Sequence, residues 1–409
     1  MRYILGFLVT LLMFSCKNES KVETAKENQL KTGTYRAVLQ TKDNQQLPFV
    51  FEVESKDKLK IYNADEVIEV DEIKYRNDSV FITTPVFEGY IATTFEGDNL
   101  KGSFIKESLN RVVPITIEYD NDKRFMVNKD ASQDVSGIWE TVFSKGVEGD
   151  EYIAKGVFKQ QGNKVTGTFR TTTGDYRYLE GVVDGDQMKL STFDGAHAFL
   201  FTAKVSDSTM EGTFYSGNHW KEPFIAKRNK DYQLPSANTL TYLKEGYDSI
   251  DFVFPNTSDE LVGLKDDRFK DKVVIVQIMG TWCPNCLDES KYYAEYYKTH
   301  KDKDLEFIAL AFEYAKDKET AFSRIDRLMA DVGIEYPVLL AQYGTSNKEK
   351  AQEKLPMLNH VLSYPTSIFI DKKGKVRKIH TGFNGPATGE KYIEFKTEFE
   401  NFVAELLVE

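Results

Sequence analysis

Cys283 and Cys286 are the side chains of this chain whose type and spacing best suit chemistry. Pro284 and Asn285 separate them, which brings the two sulfur atoms within disulfide distance. One thiolate can then attack a disulfide while the second thiol resolves the mixed disulfide. We expect Cys283 to attack through an accessible sulfur and Cys286 to resolve. The exchange needs no cofactor other than the reversible Cys283–Cys286 disulfide.

The residues around the pair predict a buried strand followed by a helix. Val273–Met279 is an almost continuous apolar run, typical of a strand covered on both faces, and residues 286–301 have a helix-forming composition. Cys283 would then lie at a helix N-terminus, where free backbone N–H groups and the helix dipole stabilise a thiolate. Glu289 shares a helix face with Cys286 and is a candidate to move its proton. An ordinary exposed helix glutamate is the alternative.

The rest of the C-terminal region alternates between strands and helices, which predicts an α/β fold. Ordered along the chain, the predicted elements are a strand at 305–312, a helix at 318–332, a hairpin of strands 367–371 and 376–380, and a helix at 390–407. Residues 230–246 contain proline, serine, asparagine and glycine and are predicted to link this domain to the preceding region.

Residues 273–286 read Val-Val-Ile-Val-Gln-Ile-Met-Gly-Thr-Trp-Cys-Pro-Asn-Cys, and residues 364–371 read Tyr-Pro-Thr-Ser-Ile-Phe-Ile-Asp, followed by Gly-Lys-Val at 374–376. These two separated motifs resemble the thioredoxin superfamily, in its TlpA/ResA-like branch of membrane-tethered extracytoplasmic proteins. The resemblance covers residues 247–409 and implies a thioredoxin fold there.

The same resemblance implies roles for individual residues. Substrate contacts would come from Trp282, Pro284, Tyr364 and Pro365, with a cis peptide bond before Pro365. Glu289 matches a glutamate that ResA-like reductases place close to the cysteine pair. Gln277 stands where thioredoxins proper bury an aspartate, so the usual aspartate is missing here.

The N-terminus reads as a secretion signal. Ile4–Phe14 is an apolar run after Arg2, long enough for a signal-peptide core and too short to cross a bilayer as a helix. Met13-Phe14-Ser15-Cys16 resembles the lipobox of bacterial lipoproteins, which implies a signal peptide over 1–16 and acylation of Cys16. Plain secretion is the alternative. Residues 17–31 are polar and predict a flexible tether.

Residues 32–229 alternate between apolar and polar positions with frequent turn signals, which predicts antiparallel β-structure. Short patterns recur about 100 residues apart; for example, Gly33-Thr34-Tyr35 returns as Gly137-Ile138-Trp139. We predict two copies of one β-meander domain, over 32–131 and 132–229, each a small barrel or a sandwich. Tyr35, Trp139 and Trp220 are expected in their cores.

Composition excludes several classes of function. The net charge of −11 and the mixed charges argue against a nucleic-acid partner. If Cys16 is lipidated, Cys283 and Cys286 are the only remaining thiols, and the five histidines are scattered, so no zinc site is expected.

Together these features predict a multidomain protein of the cell envelope, lipid-anchored and facing the periplasm or exterior of a Gram-negative bacterium. It would reduce protein disulfides and receive electrons from an upstream thiol donor. Two alternatives stay open. The β domains could be the main actor, as a binding module for an envelope ligand or partner, or the chain could be a thiol peroxidase, although Val276 and Gly280 replace the proline and threonine of that motif.

Overall fold

The computed structural model of the protein describes residues 28–409. Cys16, the predicted signal peptide and most of the predicted tether lie outside the described residues. Within residues 28–409, no helix combines the length and apolar character that crossing a membrane requires.

The first β domain is a nine-stranded antiparallel meander whose first strand also pairs with its last. The two edge strands are joined through Asp71 alone, so the sheet curls until the end of one edge strand meets the start of the other. Leu30, near the end of the predicted tether, is buried in its core. The strands are β1 (Gly33–Gln40), β2 (Gln46–Ser55), β3 (Lys58–Asn63), β4 (Glu66–Val70), β5 (Glu72–Arg76), β6 (Ser79–Thr83), β7 (Tyr90–Glu96), β8 (Asn99–Lys106) and β9 (Arg111–Tyr119).

The second β domain is a closed antiparallel barrel. Trp139 is fully buried in it, and Tyr35 is buried in the first domain, as expected. The expectation for Trp220 is wrong: its side chain is 44% exposed, because it is the first residue of the last strand and precedes the buried positions of that strand. The strands are β10 (Gly137–Phe143), β11 (Tyr152–Gln161), β12 (Lys164–Thr171), β13 (Leu179–Asp184), β14 (Gln187–Phe193), β15 (Ala198–Val205), β16 (Thr209–Ser216) and β17 (Trp220–Arg228).

The C-terminal domain has a central five-stranded sheet in the order β22-β21-β20-β23-β24, preceded by a small hairpin of β18 and β19. The central strand β20 pairs parallel with β21 and antiparallel with β23. Every residue of β20 is buried, so both of its faces are covered, which explains its continuous apolar sequence. The elements are β18 (Val253–Pro255), β19 (Leu261–Gly263), β20 (Val273–Met279), α1 (Pro284–His300), β21 (Leu305–Phe312), α2 (Lys318–Val332), β22 (Val338–Gln342), α3 (Lys348–Lys354), β23 (Thr366–Ile370), β24 (Val376–Thr381) and α4 (Glu390–Val408).

The three domains pack directly against one another. Phe193 of the barrel stacks on Phe49 of the first domain, with ring centroids 4.3 Å apart, and belongs to that domain's core. Val86 and Phe87 of the first domain are buried in the core of the C-terminal domain. The β domains therefore contribute directly to the surroundings of the cysteine pair.

Candidate active site

The cysteine pair lies at the start of α1, just after β20. Cys283 is the N-cap residue of α1, and its Sγ atom accepts a hydrogen bond from the backbone N–H of Cys286, at 3.3 Å. Pro284 occupies the first helical turn, where its missing N–H costs no hydrogen bond. Both cysteines are free thiols. The helix N-terminus thus directs an N–H group and its positive dipole end at the first sulfur.

The second landmark of the sequence faces this sulfur. The peptide bond between Tyr364 and Pro365 is cis, as the resemblance implied. The thiol of Cys283 donates a hydrogen bond to the carbonyl oxygen of Tyr364, at 3.4 Å. The structure therefore brings together the cysteine pair and the Tyr364–Pro365 turn, which are far apart in the sequence.

Cys286 lies beneath Cys283 and is fully buried. Burial raises the pKa of its thiol well above the ordinary value, and the neighbouring Cys283 and the charge of Glu289 raise it further. Cys286 therefore stays protonated at neutral pH. It must lose that proton to a nearby group before it can act as a nucleophile.

Glu289 is completely buried, so the alternative of an exposed helix glutamate is wrong. Its carboxylate accepts hydrogen bonds from Gln277 Nε2 at 2.8 Å, Ser367 Oγ at 2.9 Å and the Tyr293 hydroxyl at 3.3 Å. Burial raises the pKa of Glu289 to about 7, against the opposing effect of these hydrogen bonds. A carboxyl group poised near neutrality is suited to accept and release a proton. Gln277, at the usual aspartate position, helps to hold it.

Trp282 and its neighbour Thr281 are held by the end of β21 and the residue after it. Its indole Nε1 donates to the carbonyl oxygen of Phe312 at 3.0 Å. The buried carboxylate of Glu313 accepts hydrogen bonds from the backbone N–H and the hydroxyl of Thr281, both at 2.7 Å. Glu313 was not among the sequence candidates. Its signal was an acidic residue directly after a buried strand beside β20.

A loop of the barrel covers the other side of the cysteine turn. Residues 172–178 join β12 to β13 and are here named the barrel loop. Asn285 Nδ2 donates to the carbonyl oxygen of Asp175 at 3.2 Å, and Ser363 Oγ donates to that of Thr173 at 2.8 Å. Gly174 lies so close to Asn285 that a Cβ atom there would clash with the side-chain amide.

The expectation of an accessible first sulfur is therefore wrong for this arrangement of the domains. Cys283 is 7% exposed, because Tyr364 lies over it and the barrel loop occupies the surface beside it. The contact between the barrel loop and the cysteine turn could not be predicted from the sequence, because nothing in the composition of the loop indicates it.

An ion network at Arg177 anchors the barrel loop. The buried guanidinium pairs with Asp288 of α1 and Glu66 of β4, and lies 3.2 Å from Asp194 of the barrel. It also donates to the carbonyl oxygen of Pro284 at 3.1 Å. Burial opposes its charge, yet Asp288, Glu66 and Asp194 together raise the pKa of Arg177 well above its ordinary value. One side chain thus ties all three domains together at the cysteine turn.

The comparisons with known proteins agree with these motifs. The model of the Redoxin family matches residues 244–393. The thiol-disulfide oxidoreductase ResA of Bacillus subtilis is 29% identical over 140 residues, which cover 34% of this chain and 69% of ResA. ResA of Bacillus thuringiensis subsp. konkukian is 29% identical over 149 residues, covering 36% of this chain and 76% of the relative.

A solved structure of a thiol-disulfide isomerase from Corynebacterium glutamicum aligns with a TM-score of 0.31 and 17% identity, covering 41% of this chain and 97% of the other. The family match spans both the cysteine turn and the cis-proline turn. Residues 244–393 therefore form a redoxin domain that is similar to ResA, which gives this chain a thiol–disulfide oxidoreductase domain.

Proposed function

We propose that this protein reduces disulfides of extracytoplasmic proteins, with Cys283 as nucleophile, Cys286 as resolving thiol and Glu289 as the proton acceptor for Cys286. One observation carries the proposal. The sulfur of Cys283 caps α1, above a buried protonated thiol and a buried carboxyl whose pKa is about 7. Trp282, Pro284, Tyr364 and Pro365 would border the bound substrate, as the ResA resemblance suggests.

The proposed reaction has two steps. The Cys283 thiolate attacks one sulfur of the substrate disulfide, forms a mixed disulfide and releases the other sulfur as a thiolate. The Glu289 carboxylate then takes the proton of Cys286, whose thiolate attacks Cys283 Sγ. This attack releases the second substrate thiol and closes the Cys283–Cys286 disulfide. The substrate gains two electrons, and a dithiol donor must return the enzyme to its reduced form.

The cellular setting is part of the proposal. The lipobox-like Met13–Cys16 segment supports a lipid anchor at Cys16, and the polar residues after it support a spacer from the membrane. The reductant would be an upstream thiol protein of the same compartment. Radiolabelled palmitate incorporation that is lost in Cys16→Ser tests the anchor.

We also propose that the two β domains are copies of one ancestral module. Both are antiparallel meanders in which the last strand returns to the first. Tyr35 of β1 pairs with Tyr119 of β9, and Trp139 of β10 pairs with Arg228 of β17. Tyr35 and Trp139 occupy equivalent places in the repeated sequence pattern.

The test of the reductase proposal is a trapping experiment. Cys286→Ser keeps the nucleophile and removes the resolving thiol, so mixed disulfides with envelope proteins should accumulate and disappear on treatment with dithiothreitol. Cys283→Ser/Cys286→Ser is the matched control and should trap nothing. Equal trapping by both variants, or release of substrate by Cys286→Ser at the wild-type rate, would contradict the assigned roles.

A further inference from the structure

A cavity of about 360 Å³ lies where the three domains meet, with Trp282 in its wall. Its volume falls in the range of sites that hold a small ligand or a few residues of a peptide. The polar and aromatic lining residues that matter are Lys106, Arg111, His197, His219, Trp282 and Tyr314. Trp282 directly precedes Cys283, so a group bound here lies next to the redox centre.

The cavity is cationic in a protein of net charge −11. Lys106 and Arg111 line it, and none of its lining residues is an aspartate or glutamate. His219 has only cations as charged neighbours. Burial, with the positive charges of Arg111, Lys106 and Lys42, lowers the pKa of its imidazole to about 4. Burial is the main cause of this shift, and the three cations add to it.

Lys106 and Arg111 have no direct ion-pair partner among the described residues. Within residues 28–409, neither Lys106 nor Arg111 forms an ion pair with a carboxylate, and the only hydrogen bond of Lys106 Nζ is to the carbonyl oxygen of Ala196, at 3.0 Å. Lys106 is 8% exposed; burial and the charge of Arg111 lower its pKa to about 8, against the opposing charges of Glu88 and Asp194. Neither carboxylate lines the cavity or pairs directly with Lys106, so an anion entering this cavity gains favourable electrostatics.

The opposite approach to Cys283 is closed. The barrel loop is hydrogen-bonded to Asn285 and Ser363, which flank the two turns that face the sulfur. The cavity wall at Trp282 is on the side that the loop leaves uncovered, since none of residues 172–178 lines the cavity.

We propose that this cavity binds an acidic segment of the substrate protein, so that disulfides flanked by glutamate or aspartate are reduced in preference to others. The inference rests on the proposed reductase function and adds the class of substrate. The carboxylates would pair with Lys106 and Arg111, and an apolar part of the segment would pack against Trp282 and Tyr314.

The test uses three synthetic disulfide peptides of equal length, with flanking glutamates, glutamines or lysines. The reduced full-length protein should show the highest kcat/KM for the glutamate peptide and the lowest for the lysine peptide. Arg111→Gln should cut the ratio of glutamate to lysine peptide about tenfold, the size expected for one partly buried charge. Lys74→Gln removes an exposed charge outside the cavity and should leave the ratio unchanged.

The outcomes separate this inference from the reductase proposal. Equal kcat/KM for all three peptides, each dependent on Cys283, would overturn the acidic preference and keep the reductase. Failure to reduce any of them would overturn both. Binding gives an independent readout: Cys283→Ser should bind a fluorescent glutamate peptide more tightly than the lysine peptide, and Arg111→Gln in that background should abolish the difference. Equal binding of both peptides would count against the cavity.

Discussion

The guanidinium of Arg177, on a loop of the barrel, donates a hydrogen bond to the carbonyl oxygen of Pro284, between the two cysteines, at 3.1 Å. A second domain thus contacts the backbone of the cysteine turn, and three carboxylates surround the contacting side chain. The β region therefore shapes access to the redox centre, and this relationship can be tested.

Gly174→Ala should expose the first sulfur. A Cβ atom at this position would clash with Asn285, and overpacking of this kind typically costs about 1–3 kcal/mol. That cost weakens the docked arrangement, so alkylation of Cys283 by a bulky maleimide should accelerate about tenfold. Gly146→Ala is the control, because Gly146 also has positive φ but faces open space. Unchanged alkylation in Gly174→Ala would show that the loop does not limit access.

Arg177→Met should destabilise the protein strongly. It leaves Asp288, Glu66 and Asp194 buried near one another without their cation, which typically costs about 3–5 kcal/mol. The measurement is the free energy of unfolding in urea, followed by tryptophan fluorescence. Lys204→Met removes an exposed ion pair and should cost less than about 1 kcal/mol. A similar decrease in the free energy of unfolding in both variants would contradict the stabilising role assigned to Arg177.

Glu289→Gln should slow resolution and spare the first attack. Reaction of the reduced protein with Ellman's reagent releases one thionitrobenzoate when Cys283 attacks and a second when Cys286 resolves. Without the carboxylate the second release should slow about 100-fold, within the usual range for proton transfer, and lose its inflection near pH 7. Glu295→Gln, an exposed acid on the same helix, should behave as wild type. Retention of the inflection in Glu289→Gln would assign it to another group.

The same carboxyl group should make stability depend on pH. Burial raises the pKa of Glu289 from the ordinary 4.5 to about 7, so the folded state holds this proton more tightly than the unfolded state. Its contribution is most favourable below pH 4.5 and is lost as pH rises to 7. The free energy of unfolding of wild type relative to Glu289→Gln should therefore fall by up to about 3 kcal/mol across this window. If the difference in the free energy of unfolding between wild type and Glu289→Gln does not change with pH, Glu289 does not titrate in this window.

Much of the redox domain was predictable because its signals are local. The apolar run of β20 and the helix after it place Cys283 at a helix N-terminus, and the structure has β20 and α2 at the predicted bounds. The prediction of α1 began two residues late, since Pro284 is accommodated in the first turn. β22 and the short helix α3 were missed, because their segments are brief and lack a clear period.

Contacts between distant residues required the tertiary structure. The alternation of polar and apolar residues indicated antiparallel strands, but it carried no information about which loop would meet which domain. Arg177 and Asp288 are 111 positions apart, and neither belongs to a motif. The burial of Cys283, the network at Arg177 and the cationic cavity depend on how three separately patterned domains pack. Side-chain periodicity determines which face of a helix or strand is buried. Which residues pack against that face depends on the tertiary packing of all three domains.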